Sequence, residues 1–116
     1  FWADETGSVS TDLLVEAEAA DDSSAFSNTK WDVSSRPRTT AQVAWSVAPW
    51  SAVGEAGPDQ RSPDLAALVE EIVNRPGWAS GNAISFVITG TGTRTAEAYN
   101  GDSSRAPLFH VEFLSP

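Results

Sequence analysis

The sequence predicts an all-β domain: an antiparallel β-sandwich of jelly-roll type with one short α-helix near residues 63–74. Three observations carry that expectation. Apolar and polar residues alternate over several short runs, clusters of Gly, Pro, Asn and Asp separate those runs, and one stretch alone shows a helical period. With 116 residues the chain is expected to form a single domain, 1–116, long enough to bury a core without covalent staples.

The first strand runs from Asp12 to Glu18. Leu13, Val15 and Ala17 point one way while Asp12, Glu16 and Glu18 point the other, the pattern of a half-buried strand. Asp21-Asp22-Ser23-Ser24 then reads as a turn. Residues 27–40 are polar and interrupted by Pro37, which marks a long connection. Alternation resumes from Ala41 to Val47, placing Val43, Trp45 and Val47 on one face and Trp45 in the core. Pro49, Gly54, Gly57 and Pro58 define a loop that carries Trp50.

The helix has start, stripe and stop. Ser62 can cap it, Pro63 suits the first helical position, and Asp64 complements the positive end. Leu65, Leu68, Val69, Ile72 and Val73 form one apolar stripe that should lie on a sheet, and Pro76-Gly77 ends the run. Beyond it, Ala83 to Thr89 is nearly continuously apolar, as in a central strand covered on both faces. Gly90-Thr91-Gly92 reads as a turn, Thr93 to Tyr99 as a strand, and Asn100-Gly101 as a hairpin tip. From Pro107 to Leu114, Phe109, Val111 and Phe113 alternate against His110 and Glu112 as a last strand. Trp45, Trp78, Phe86, Ile88, Val111, Leu68 and Ile72 are the expected common core.

Composition narrows function. The absence of cysteine removes disulfides, thiolate catalysis and cysteine-ligated metal centres. One histidine, His110, cannot build a His-based metal triad within a chain. A net charge of −9 repels phosphate backbones, so nucleic acid is not an expected partner. No apolar run approaches the roughly 20 residues that span a bilayer. Ser and Thr contribute 24 residues and Ala 17, against a single lysine. That acidic, cysteine-free balance suits a secreted or cell-surface bacterial protein, and equally a salt-tolerant one.

From Val33 onward a longer order of motifs stands out. Ser34-Ser35-Arg36, Thr39-Thr40-Ala41 and Val43-Ala44-Trp45-Ser46 lead to Trp50 and then Val53 to Arg61. Pro63-Asp64-Leu65 precedes Glu71 to Asn82, followed by Ile88 to Gly92, Arg94, Ala96-Glu97, Tyr99, Ala106 to Leu108 and His110 to Glu112. Over residues 33–113 this order resembles a secreted bacterial accessory β-sandwich module, similar to carbohydrate-binding modules in multidomain extracellular proteins. The resemblance implies a non-catalytic accessory domain. It also implies strands ahead of Phe1, which itself reads like a strand interior. Those strands would come from further residues of the same polypeptide, from a partner chain or from a neighbouring copy.

Four chemistries come into question for such a chain. General acid–base work needs paired carboxylates in a cleft, and the alternation puts most acids on solvated faces, so an enzyme is not expected. His110, beside Glu112 in the same parity, reads as a partly exposed strand histidine. For structural calcium, the hard-oxygen ligands would be Glu18, Asp21 and Asp22 at one turn, with Glu55, Asp59 and Asp64 around another. Solvated acids are the ordinary state of such clusters, and no EF-hand loop is present. For glycan binding, Trp31 lies in a polar loop between Lys30 and Asp32 and is the candidate stacking platform, and Tyr99 with Asn100 and Asp102 is the second. For assembly, a sandwich lacking its first strands invites β-strand complementation, as in an extracellular filament.

Overall fold

The computed structural model describes residues 1–115, and the chain divides into two compact units, neither continuous in sequence. Unit 2 comprises residues 12–46 and 62–91 and holds all the regular structure that matters for the fold. Its sheet is built from β1 (Asp12–Ala17), β2 (Val43–Ser46) and β3 (Phe86–Thr91), in the order β2-β1-β3 with both pairings antiparallel. Leu13 faces Trp45 on one side and Gly90 on the other, and Val15 faces Val43 and Ile88. Directly paired residues share a face, so Leu13, Val15, Ala17, Trp45, Phe86 and Ile88 project to one side.

The helix α1 (Ala66–Val73) packs against β1. Leu68 and Ile72 are fully buried, together with Val15 and Ala17. The helix starts later than the sequence suggests. Leu65 occupies the N-cap position without a side-chain cap; Asp64, one residue ahead, accepts the Ala66 N–H at 2.8 Å, whereas Ser62 Oγ turns to the Pro63 carbonyl. At the other end of α1, Glu71 accepts the Thr40 N–H at 2.7 Å and the Ala41 N–H at 2.8 Å. It thereby closes the connection that leads into β2.

Those two backbone donors hold the Glu71 carboxyl below its ordinary value of 4.5. A depressed folded-state value means the carboxylate stabilises the fold fully above pH 4.5. That contribution is lost as pH falls from there through the lower folded value. Urea unfolding at neutral and acid pH is expected to show Glu71→Gln losing stability mainly at neutral pH, with the gap to the parent narrowing in acid. A gap independent of pH would contradict the assignment.

Unit 1 comprises residues 1–11, 47–61 and those from Gly92 onward, and it is held by loops rather than strands. Its ladders are single bridges, Ala3 with Ala96 and Gly7 with Trp50. Arg94 is its organising side chain, donating to the carbonyls of Val9, Val47, Ala48 and Thr93 and to Thr11 Oγ1. Trp50 is 3 % exposed, and its indole N–H donates to the Asp59 carbonyl at 2.9 Å. Burying Trp50 needs that acceptor.

This architecture corrects the expected jelly-roll β-sandwich. Among the described residues there is one open three-stranded sheet, not two packed sheets. The expected strands 93–99 and 107–114 form no ladder among the described residues, apart from the bridge at Ala96. Phe1 and Trp2 likewise lie outside any strand. The apolar run 83–89 becomes an edge strand rather than the central one, because β1 takes the middle position. For that reason Ile88 is 42 % exposed, and Val111 is 46 % exposed outside any strand ladder of the described residues. Trp78 and Phe86 are half-buried, so the shared core reduces to Trp45, Leu68 and Ile72 of the seven residues expected.

Candidate functional site

The polar connection 27–38 in unit 2 is an ordered turn rather than a slack loop. Asp32 N–H donates to the Thr29 carbonyl and Ser35 N–H to the Trp31 carbonyl, while the Ser27 N–H donates to Asp32 Oδ2 at 2.8 Å. The Ser27 N–H, with Arg36 beside it, holds the Asp32 carboxyl below its ordinary value.

Arg36 ties the turn to the sheet. Its guanidinium donates to Glu18 at 2.9 Å, Asp32 at 3.2 Å, Ser23 Oγ, and the carbonyls of Ser24 and Ala25. The same group stacks over the Phe26 ring at 4.2 Å. Five donors in a fixed fork suit this gathering of loop carbonyls, which lysine could not reproduce.

On this turn stands Trp31. It is 66 % exposed and is the one non-glycine among the described residues with a positive φ, 68°. A left-handed backbone costs a non-glycine residue roughly 1–2 kcal/mol, and such strain gathers where function holds a residue in place. Lys30 Nζ lies 5.1 Å from the indole centroid. Beside the ring opens a cleft of about 350 Å3, lined by Trp31, Asp32, Ser34 and Arg38 and by Val87, Ile88 and Thr89 of β3. An aromatic plane, an apolar strand edge and a ring of hydroxyl, carboxylate and guanidinium groups can stack on a flat ligand and bond its hydroxyls.

The second expected platform lies in unit 1. Tyr99 is 72 % exposed at the turn through Asn100 and Gly101. Asp102 caps the short 3-10 turn Ser103–Arg105, accepting from the Ser104 N–H and hydroxyl. Those donors lower its carboxyl below the ordinary value, while burial and the nearby Asp4 raise that of Glu97.

The three expected calcium ligands each face a different set of partners. Glu18 binds Arg36 and Ser23, Asp21 pairs with Arg75 at 2.6 Å, and Asp22 accepts the Ala83 N–H at 2.8 Å. Among the described residues no group of three or more acids or histidines is placed to share a metal. His110 Nε2 lies 3.2 Å from Glu112 Oε1 at an exposed position. No described helix is long and apolar enough to cross a membrane.

Sequence reading singled out Trp31 but missed Arg36 and the strand edge. Arg36 sits in a polar, aperiodic tract, and nothing local signals which carbonyls it will collect. No family model, curated protein or solved structure matches the chain.

Proposed function

We propose that the chain is a non-catalytic, extracellular binding module that takes a neutral glycan in the Trp31 cleft. The single observation carrying this reading is Trp31 itself, exposed, strained and held on a turn that Arg36 fastens to the sheet. An indole kept in water at a backbone cost serves no packing purpose. The motif order over 33–113 and its resemblance to accessory modules of secreted proteins support the same reading. A net charge of −9 favours neutral over anionic polymers.

Titration with neutral polysaccharides is expected to shift the tryptophan emission. Trp31→Ala should weaken binding by about 30-fold, the scale of a stacked hot-spot aromatic, and leave the melting temperature unchanged. Equal binding by parent and Trp31→Ala, or no response to any glycan, would remove the proposal. A second reading, β-strand addition by another chain, draws on the outer edge of β3, where Ile88 to Thr91 are exposed and where, among the described residues, β1 is the one strand paired with it. An extended peptide that competes with the glycan would favour it.

A further inference from the structure

Segment 108–114 of unit 1 is written as a strand and has no ladder among the described residues. Leu108 is 84 % exposed, Val111 46 %, Phe113 83 % and Leu114 96 %, a large apolar load for one stretch. His110 and Glu112, two residues apart as on one face of a strand, meet at 3.2 Å.

The stretch is also a palindrome. Leu108-Phe109-His110-Val111-Glu112-Phe113-Leu114 reads the same in both directions at its apolar positions, with His110 and Glu112 exchanged about the centre. We propose that this segment pairs antiparallel with the same segment of a second copy, about a two-fold axis through Val111. Leu108 then lies opposite Leu114, Phe109 opposite Phe113, and His110 opposite Glu112, each pair occurring twice.

Two-fold contacts must be self-complementary, and this register is. One face collects Phe109, Val111 and Phe113 from both chains; the other sets each imidazole against a carboxylate. Cross-strand aromatic pairs and complementary polar pairs are the contacts that stabilise an antiparallel ribbon. Neighbouring registers fail. Centring the pair on Glu112 sets carboxylate against carboxylate, centring it on His110 sets imidazole against imidazole, and an odd slip mixes the two faces.

A ribbon of two short strands is marginal by itself, so the association is expected to be weak and to rise with protein concentration. Because each copy carries −9, pairing is also expected to tighten as added salt screens the repulsion. Segment 108–114 shares no residue with the Trp31 cleft, so pairing of copies is independent of glycan binding.

The chain is free of cysteine, so single cysteines read the register directly. Val111→Cys faces itself across the axis and should form disulfide-linked dimers readily under mild oxidation. Phe113→Cys faces Phe109 and should not. In sedimentation, His110→Glu should weaken the dimer about tenfold, and the double change His110→Glu with Glu112→Lys should restore it. Far-UV circular dichroism of each variant should match the parent, since the altered side chains are exposed. A monomer at every concentration and salt, or equal cross-linking at 111 and 113, would overturn the proposal.

Discussion

Trp45→Ala is expected to destabilise the protein by about 3–5 kcal/mol, the cost of removing a buried aromatic that its surroundings cannot refill. Trp45 is 7 % exposed on β2, a strand of only four residues. Across from it sits Leu13, on the face of β1 that also carries the buried Val15 and Ala17. So short a strand has few ladder hydrogen bonds, and its docking depends on the area its one large side chain covers. In a domain of this size that loss lowers the melting temperature by roughly 10 °C or more. Thermal melts of parent and variant decide the matter; agreement within a degree would take Trp45 out of the core.

Gly90→Ala is expected to cost about 2–5 kcal/mol, combining a forbidden backbone angle with a backbone collision. Gly90 has φ of 140° inside β3, opposite Leu13. An added Cβ would lie 2.8 Å from Leu13 Cα and nearer still to the Asp12 carbonyl oxygen, both atoms of the central strand. Neither can yield without shifting β1, to which both other strands are bonded. Gly81 provides the comparison, because its φ is 95° but nothing lies within 4 Å of an added Cβ. Gly81→Ala should therefore cost only about 1 kcal/mol, the conformational part alone. Equal urea midpoints for the two variants would show that the close approach at Gly90 carries no energy.

Several elements were legible in the sequence because their signals are local. The alternation Leu13, Val15, Ala17 became β1, Val43 to Ser46 became β2, and the stripe through Leu68 and Ile72 became the buried face of α1. Period and side-chain size are enough to say which face is apolar. They also singled out Trp31 as an aromatic among polar neighbours.

Partners were not legible. Segment 107–114 alternates as cleanly as β1 and 93–99 also reads as a strand, yet among the described residues neither joins a sheet, because a strand exists only where another backbone supplies its hydrogen bonds. The apolar run through Phe86 to Ile88 looked central, and the pairing order made it an edge with an exposed Ile88. Gly90 looked like a turn, and proximity to Asp12 and Leu13 made it part of a strand. The left-handed backbone of Trp31 and the five-fold grip of Arg36 arise only once Glu18, Ser23 and Ser24 have been brought to the same turn. Composition and periodicity alone thus determined which side chains seek burial and which stay wet. Which backbone meets which, and so which aromatic is held out in solvent, was decided by tertiary structure, because hydrogen-bond pairing joins residues distant in sequence and leaves no periodic trace in either partner.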